Sequence, residues 1–357
     1  MMAAQNNIRV LVTGASGYLA THCVQQLLSG GYAVRGTVRS LKNPDKIQPL
    51  RSLNFAKERL ELVEADLEKA DTWPRVMESC DYVLHVASPF PPVGDENTIR
   101  TALDGTLNVL KACAKCHSVK KVVLTSSIAA IMYGNDNHGK TVTEKDWSNI
   151  DGKNINTYQK SKTIAETAAW DFMKTIPDGD NKFKLTCLNP GFIVGPSLTE
   201  VEGTSVTIIK RIMNREMPGL PMLNFHMVDV RDCAKAHILA MENPKSDGER
   251  ILLCSNKDYW FADVAGFLEK EFKSQGYCIP TRKLPYFMVW FASFFDSSVK
   301  EILPFIGVET HTDNSKARNL LGLKFTNPEK SIVDMGYSLI EKGIVPRKSG
   351  YKPRTHL

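Results

Sequence analysis

Ile8-Arg9-Val10-Leu11-Val12 runs directly into Thr13-Gly14-Ala15-Ser16-Gly17-Tyr18-Leu19-Ala20, and this stretch decides the fold. An apolar run ends in a glycine turn, after which a helical pattern begins. Gly14 can take a positive φ where the chain must turn sharply. Gly17 lets backbone at the helix start approach a pyrophosphate, and Ala20 fills a third small position where helix and strand pack closely. The spacing G-x-x-G-x-x-A therefore predicts a nucleotide-binding loop, with a plain tight turn as the alternative.

Short apolar runs alternate with helical segments through the first half of the chain. The runs are rich in Val and Leu and do not alternate in polarity, which is typical of parallel strands buried on both faces. Together they predict an α/β fold built on a doubly wound parallel Rossmann sheet. The predicted strands are 8–12, 33–38, 60–64, 82–86, 121–124 and 184–188, and the predicted helices are 19–29, 74–79, 98–116 and 157–174.

The alternation loosens after Pro196, because prolines and glycines interrupt short helical patterns there. We interpret this half as a smaller C-terminal α/β substrate domain that covers the carboxyl ends of the strands. The predicted division assigns 1–195 plus about 226–243 to the dinucleotide-binding domain and 196–225 plus 244–346 to the substrate-binding domain. The basic, breaker-rich stretch 347–357 is expected to form a loose tail.

The composition of the chain indicates which binding partners and which cellular compartment to expect. The chain has 357 residues and a formal net charge of +6, but its basic residues form no block with interleaved aromatics, so nucleic acid is not an expected partner. Eight scattered cysteines without regular disulfide spacing, and a start without a signal-peptide pattern, favour a reducing cytoplasm. Cys113-x-x-Cys116-His117 matches a haem-attachment spacing, but it ends a helical pattern, and no metal site is expected.

The most apolar later stretch runs from Leu284 to Val308. Asp296, Lys300 and Glu301 interrupt it, so a membrane span is not expected. A buried amphipathic helix is the preferred interpretation, with its aromatic residues in the core. A surface that docks to a membrane or to a partner is the alternative.

The second predicted strand bears on the choice of cofactor. NAD enzymes usually place Asp or Glu about 20 residues past the glycine loop, on the ribose 2′-hydroxyl. Residues 34–40 contain no acid, and Arg39 can hold a 2′-phosphate with Lys42 or Lys46 nearby, so the pattern favours NADP(H) as the cofactor. The alternative is that these basic residues only form a solvated surface loop. Asp66-Leu67, after the third strand, is a candidate contact to the adenine edge, although an Asp there also caps helices.

Tyr158 and Lys162 are candidate catalytic residues, because their i, i+4 spacing places them on one face of a helix. A nearby ammonium is expected to lower the pKa of the phenol and also to hold the nicotinamide ribose. Ser127 ends the run Val122–Ser127, at the carboxyl edge where ligands bind in such sheets. The predicted roles are Ser127 as carbonyl polariser, Tyr158 as general acid in a reduction, and Lys162 as electrostatic tuner. A chance Tyr-x-x-x-Lys and a serine turn are the alternative.

Motifs along nearly the whole chain show a family resemblance. They are Val12-Thr13-Gly14-Ala15-Ser16-Gly17-Tyr18, Gly36-Thr37-Val38-Arg39, Ala65-Asp66-Leu67, His85-Val86-Ala87-Ser88-Pro89, Gly105-Thr106-Leu107-Asn108-Val109-Leu110, Thr125-Ser126-Ser127, Tyr158-x-x-x-Lys162, Asn189-Pro190-Gly191-x-x-Val194-Gly195-Pro196, and Val228-Asp229-Val230-Arg231-Asp232 with Ala236-His237. With them the chain resembles the extended short-chain dehydrogenase/reductase family, and within it the dihydroflavonol 4-reductase-like carbonyl reductases. The segments 163–166 and 168–172 resemble the aldehyde and ketone reductase branch.

This resemblance implies NADPH as cofactor and hydride transfer to the carbonyl of a small-molecule substrate. By position it implies that Ala87 and Ser88 line the cofactor, that Lys46 is a second basic partner of Arg39, and that Asn108 is structural or relays water. The full predicted cofactor set is Thr13, Gly14, Ser16, Gly17, Tyr18, Leu19, Arg39, Lys46, Asp66, Leu67, Val86, Ala87, Ser88, Tyr158, Lys162, Pro190, Gly191 and Val194.

One departure from the family bears on the substrate. The Lys-Asn-Trp-Tyr-Cys-Tyr signature of cinnamoyl-CoA reductases is missing, and Asn156-Thr157-Tyr158-Gln159 stands there instead, which disfavours a CoA thioester. The alternatives on the same fold are an NAD-dependent 3β-hydroxysteroid-type dehydrogenase and a sugar-nucleotide epimerase. A non-enzymatic NADPH sensor is a third class, which the joint presence of Ser127, Tyr158 and Lys162 argues against. The sequence leaves open whether the chain is a monomer or a homodimer.

Overall fold

The computed structural model describes residues 7–89, 95–177, 179, 182–200 and 203–354. The strands are β1 (Arg9–Val12), β2 (Ala33–Val38), β3 (Leu60–Glu64), β4 (Tyr82–His85), β5 (Lys121–Thr125), β6 (Thr141–Val142), β7 (Lys184–Pro190), β8 (Phe192–Val194), β9 (Asn224–Phe225), β10 (Met227–Asp229), β11 (Arg250–Leu253), β12 (Tyr259–Trp260) and β13 (His311–Thr312). The helices are α1 (Tyr18–Ser29), α2 (Pro44–Arg51), α3 (Ala56–Arg59), α4 (Trp73–Met77), α5 (Glu96–Lys115), α6 (Thr157–Thr175), α7 (Thr204–Met213), α8 (Val230–Glu242), α9 (Phe261–Phe272), α10 (Tyr286–Ala292), α11 (Ser297–Ile302), α12 (Ser315–Leu321) and α13 (Pro328–Glu341).

Within the described residues, seven parallel strands form the main sheet in the order β3-β2-β1-β4-β5-β7-β11. The strand order reverses between β1 and β4, which is the switch point at which doubly wound sheets bind their ligands. The α/β prediction with a parallel Rossmann sheet is therefore confirmed.

Both faces of the sheet are covered, as the apolar strands require. Val10 and Val12 of β1 point to the side that packs against α1 and α8, whereas Leu11 points to the side covered by α4 and α5. All three side chains are fully buried. Because both faces exclude water, the polar ends of the strands are the places left for a ligand.

A second core lies among α7, α9 and α13, where Val206, Phe261 and Ile332 pack together. The main sheet also contains β11, which was assigned to the substrate domain from the sequence. The predicted boundary at 243 therefore leaves one strand of the sheet out of the dinucleotide-binding domain. The four residues of β11 are buried and pair in register with β7. A four-residue strand in a breaker-rich region was too short for its pattern to be read.

The stretch after Arg347, expected to be loose, is held against this second core as far as Arg354. The amide of Lys352 donates to Gln275 Oε1 over 3.0 Å, and Arg354 Nη1 lies 2.5 Å from Asp334 Oδ1. Asp334 is fully buried, so its carboxylate needs such basic partners. The expectation of a loose tail is therefore wrong for 347–354, and 355–357 lie outside the described residues.

The aromatic segment around α10 also differs from expectation. Val289 is buried, but the side chains around it are exposed, so this is not the buried amphipathic helix that the pattern indicated. Periodicity shows which residues share a face and not what covers that face. Among the described helices, none has both the length and the hydropathy needed to cross a bilayer.

Candidate active site

The glycine loop between β1 and α1 forms a narrow cradle. Gly14 has φ +63°, and a Cβ there would lie 3.0 Å from the Cβ of Ala87, so both conformation and space require glycine. Gly17 is the N-cap of α1 and donates its N–H to the carbonyl of Gly14. In the described chain no side chain caps this helix end, and its first turn carries no acid. The positive end of the helix is thus left open to an anion.

Two polar contacts tie this loop to its neighbours. Thr13 Oγ1 accepts from the N–H of Ala87 at 2.9 Å and lies 2.9 Å from His85 Nδ1, which joins the end of β1 to the loop after β4. Tyr18 donates its hydroxyl to the carbonyl of Gly195 at 2.7 Å. The phenol of Tyr18 therefore joins the start of α1 to Gly195, directly after β8, whose last residue Val194 is one of the predicted cofactor residues.

The predicted basic residues follow β2. Arg39 is exposed directly after the strand, and Lys46 is half-buried on α2. Asp66 is half-buried after β3, where one carboxylate oxygen accepts from the N–H of Glu68 at 3.2 Å. This contact closes a turn and caps no helix, because the N-cap of the next helical turn is Lys69, so the role of Asp66 at the adenine edge stays a prediction. Asn108 donates to the carbonyl of Leu67 at 2.8 Å, which gives that helix asparagine a structural role.

The remaining predicted cofactor residues fall into two groups. Ser16, Val86, Ala87 and Ser88 are half-buried around the β1 and β4 ends, and Pro190 and Gly191 lie at the end of β7. A Cβ on Gly191 would lie only 2.1 Å from the carbonyl oxygen of His226, so no larger residue fits there. Leu19 and Val194 differ from these because their side chains are buried in the two apolar cores, which leaves only backbone to face a ligand.

Ser127, Tyr158 and Lys162 are brought together at the carboxyl edge of the sheet. Ser127 follows β5 and is 7% exposed, its hydroxyl accepts from the N–H of Ala129 at 3.1 Å, and it lies close enough to Tyr158 to lower the pKa of that phenol. Tyr158 lies in the first turn of α6, which Asn156 and Gln159 cap reciprocally. Lys162 Nζ lies 6.0 Å from the centre of the Tyr158 ring. The three groups predicted from separate parts of the sequence therefore form one polar constellation.

The electrostatics of this constellation correct one expectation. Burial raises the pKa of Tyr158 to about 12, against the lowering effect of the hydrogen bond from Ser127. Burial lowers the pKa of Lys162 to about 8, while the charge of Glu166 acts to raise it. The expected lowering of the phenol pKa by the ammonium does not appear: loss of water dominates, and the contribution that lowers the pKa comes from Ser127. At neutral pH the phenol keeps its proton and is equipped to donate it.

A buried polar network beneath the site was not assigned from the sequence. Glu166, one turn after Lys162, accepts from Asn189 Nδ2 at 2.7 Å and from Arg250 Nε at 2.6 Å. Asn189 also donates to the carbonyl of Ser127 at 3.1 Å, so the network reaches the backbone of a candidate catalytic residue. The i+4 position of Glu166 was a signal available in the sequence. Arg250 offered none, because it is 84 residues away along the chain.

All of the predicted site residues lie within the described residues, although parts of the neighbouring loops do not. The loop after β4 is described only to Pro89 and again from Asp95, and residues 201–202 are also outside. Within the described ranges, no cluster of three His, Cys, Asp or Glu side chains has the arrangement of a metal site.

Comparisons with known proteins give the context of this site. A sequence model of the NAD-dependent epimerase/dehydratase family matches residues 10–254. Cinnamoyl-CoA reductase CAD2 of Medicago truncatula is 36% identical over 340 residues, covering 93% of this chain and 96% of that protein. Gre2 of Candida albicans, solved in complex with NADPH, is 32% identical with a TM-score of 0.76, covering 94% of this chain and 99% of that one. The yeast methylglyoxal/isovaleraldehyde reductase Gre2, complexed with NADPH, is 28% identical with a TM-score of 0.79, covering 94% and 98%.

Proposed function

The chain belongs to the NAD-dependent epimerase/dehydratase family, and on that premise we propose that it is an NADPH-dependent reductase of aldehydes or ketones. The family match confirms the resemblance drawn from the sequence motifs. Relatives that span nearly the whole chain are named reductases, and two of the similar solved structures hold NADPH. The observation that carries the proposal is the placement of Ser127 beside the phenol of Tyr158, with Lys162 Nζ 6.0 Å from the centre of the same ring.

The residues at the switch point fit a dinucleotide phosphate. The open, uncapped start of α1 and the absence of a Cβ at Gly14 provide room and N–H groups for a pyrophosphate. Arg39, exposed after β2, supplies a planar guanidinium for a 2′-phosphate, and Lys46 adds a second positive charge. When bound, NADPH supplies the hydride. The remaining predicted cofactor contacts, from Thr13 to Val194, belong to this proposal.

The chain itself supplies the proton and the polarisation. Ser127 donates a hydrogen bond to the substrate carbonyl, and Tyr158 transfers its phenolic proton to the oxygen as negative charge develops there. The raised pKa of Tyr158 keeps that proton in place until it is needed. The ammonium of Lys162 stabilises the phenolate that remains after transfer.

The relatives favour one second candidate, which is reduction of a CoA thioester. Cinnamoyl-CoA reductases are among the proteins that match over most of the chain. The segment before and after Tyr158 lacks their signature, so we propose that a free aldehyde or ketone is the better substrate. A direct comparison of the two substrate classes separates these candidates.

The experiment is NADPH oxidation, followed by absorbance, with a panel of aldehydes, diketones, flavonoid ketones and a cinnamoyl-CoA thioester, and with NADH as cofactor control. In Tyr158→Phe we expect retained NADPH binding and a loss of at least about 100-fold in kcat, the usual scale of general acid catalysis. Tyr82→Phe, which removes a phenol hydroxyl at the opposite, amino end of β4, is the matched control.

Full activity in Tyr158→Phe would remove the proposed mechanism. Oxidation of a 3β-hydroxysteroid with NAD, or epimerisation of a nucleotide sugar, would replace the proposal with one of the other activities of this fold. NADPH binding without turnover of any substrate would favour a sensor. A cytoplasmic location and a monomeric or homodimeric state stay predictions from the sequence.

A further inference from the structure

The segment 286–295 concentrates the exposed apolar surface of the described chain. Eleven large apolar side chains are exposed among the described residues, and seven of them lie in these ten positions. Scattered single exposures are normal for a folded protein, whereas a contiguous group marks an interaction site.

Helical geometry gathers the aromatic rings of this segment on one side. The helix continues past α10, because the N–H of Ser293 bonds to the carbonyl of Val289 at 3.0 Å and that of Asp296 to Ala292 at 3.1 Å. At 3.6 residues per turn, six rings fall on one half of the helix and Val289, 3% exposed, on the other. We call these six the aromatic face: Tyr286, Phe287, Trp290, Phe291, Phe294 and Phe295.

The aromatic face is large and nearly free of hydrogen-bonding groups. Its exposures run from 49% for Trp290 to 80% for Phe295, which at 150–250 Å² per ring amounts to roughly 700 Å². The largest apolar patch on a typical monomer is about 300–600 Å². Protein interfaces of this size carry several hydrogen bonds, but here only the Tyr286 hydroxyl and the Trp290 indole N–H are on offer. Such a face suits hydrocarbon better than another protein surface.

The charges around the aromatic face complement an anionic lipid. Arg282 and Lys283 are exposed just before it and Lys300 just after it. Asp296 is the one acid between 284 and 300, and the chain as a whole carries +6. Basic residues beside a membrane surface attract acidic headgroups, and Trp and Tyr favour the headgroup level. The seven residues of α10 are far too few to span a bilayer, so the helix would lie in the plane of the interface.

We propose that the aromatic face inserts into the surface layer of a bilayer containing anionic phospholipid, with Arg282 and Lys283 on the headgroups. This docking does not depend on the proposed reductase activity, and a test of one does not test the other. The segment is attached to the folded body on both sides: before it, the N–H of Leu284 donates to the carbonyl of Leu220 at 2.8 Å, and after it, Asn156 Nδ2 at the start of α6 lies 3.4 Å from Glu301 Oε2 and Phe305 packs edge-on against Tyr133. The docking surface therefore joins the part of the molecule that carries Tyr158.

The test is co-sedimentation of the full chain with vesicles of phosphatidylcholine containing about 30% phosphatidylserine, and with pure phosphatidylcholine vesicles. We expect binding to the acidic vesicles, at least about 10-fold weaker in Phe291→Ser/Phe295→Ser because two rings no longer insert. Arg282→Ser/Lys283→Ser is expected to weaken binding to acidic vesicles about 10-fold and to leave the weak binding to neutral ones unchanged. Leu41→Ser/Phe55→Ser, which removes two exposed apolar side chains elsewhere, is expected to bind as the unchanged chain does.

A second measurement starts from the unchanged chain and uses one conservative variant. Brominated lipids are expected to quench part of the tryptophan fluorescence of the unchanged chain, and Trp290→Phe is expected to lose that part while keeping an aromatic ring in place. No sedimentation with acidic vesicles, no quenching, or equal binding by Phe291→Ser/Phe295→Ser would overturn the proposal. A dimer in sedimentation velocity that the same double variant dissolves would assign the face to a second copy and would equally overturn it.

Discussion

Glu166 of α6 and Arg250 of β11 form an ion pair, with Oε1 of the carboxylate 2.6 Å from Nε of the guanidinium. The Glu166 side chain is fully buried and that of Arg250 is 10% exposed. Arg250 also donates to the carbonyls of Glu144 and Asp146, so its charge is held in place by several acceptors. Burying such a pair is expensive, and breaking it leaves one charge without compensation.

We therefore predict that Glu166→Gln lowers the free energy of unfolding by about 3 kcal/mol or more, because Arg250 then stays buried without its counter-charge. The double variant Glu166→Met/Arg250→Met is expected to recover much of that loss. Urea denaturation measures both. Asp171→Asn, which breaks the exposed pair with Lys174 on the same helix, is the control and should cost less than about 1 kcal/mol. A Glu166→Gln variant as mild as the control would show that the pair is not effectively buried.

Lys162→Met is predicted to stabilise the chain without cofactor while removing activity. Burial lowers the pKa of Lys162 from its usual 10.5 to about 8, so at pH 7 the folded chain bears the cost of a buried ammonium. Between pH 8 and 10.5 the unfolded chain binds more protons than the folded one, and the free energy of unfolding of the unchanged protein rises with pH.

The advantage of Lys162→Met should accordingly be largest near pH 7 and shrink by pH 9.5, as measured by urea denaturation at both values. Lys160→Met, two positions earlier on α6 and half-buried, is the matched control and should show no such pH dependence. If Lys162→Met is equally destabilised at pH 7 and pH 9.5, the ammonium is solvated in the folded chain and the argument fails.

Local sequence was sufficient for the parts of the site that are contiguous in the chain. The loop around Gly14 is one strand, one turn and one helix start, and Tyr158 and Lys162 are one helical turn apart, so spacing alone relates them. The sheet edge then brings Ser127 to them, because parallel strands end together.

The unpredicted features depend on distant parts of the chain. Arg250 reaches Glu166 only because β11 pairs with β7, and a four-residue strand carries no pattern that specifies such a partner. The exposure of α10 was mistaken for burial for a related reason. Apolar periodicity indicates a face that needs covering, and only the fold shows that nothing in the described chain covers it.

Arg39→Ala tests the choice of cofactor. Loss of the guanidinium removes a charged partner of a 2′-phosphate, so we predict that KM for NADPH rises at least about 10-fold while KM for NADH changes little. Steady-state kinetics with both cofactors measure the two constants. Lys46→Ala should give a smaller shift in the same direction, and Arg51→Ala, an exposed arginine at the end of α2, should give none. Equal changes for the two cofactors would refute the 2′-phosphate assignment.

Three buried histidines predict how the protein responds to acid. Burial lowers the pKa of His22 and His237 to about 4, and burial with the charge of Lys162 lowers that of His85 to about 3. Loss of water keeps these rings neutral in the folded chain, where each still forms a hydrogen bond; His237 Nε2, for example, lies 2.7 Å from Thr125 Oγ1. When the chain unfolds, these rings meet water and regain a pKa near 6.5.

Below pH 6.5 the unfolded chain therefore takes up protons that the folded chain cannot bind, and the free energy of unfolding falls as pH falls. Each histidine contributes about 1.4 kcal/mol per pH unit, so the three together give at most about 4 kcal/mol per unit between pH 6.5 and 5, above the range where most carboxylates titrate. Urea denaturation at pH 7.5, 6.5, 5.5 and 5.0 measures this slope, which His237→Gln should reduce by about one third. His117→Gln, which removes an exposed histidine, should leave the slope unchanged. A flat profile down to pH 5 would mean that the folded chain binds protons at these rings, and would contradict their burial as neutral groups.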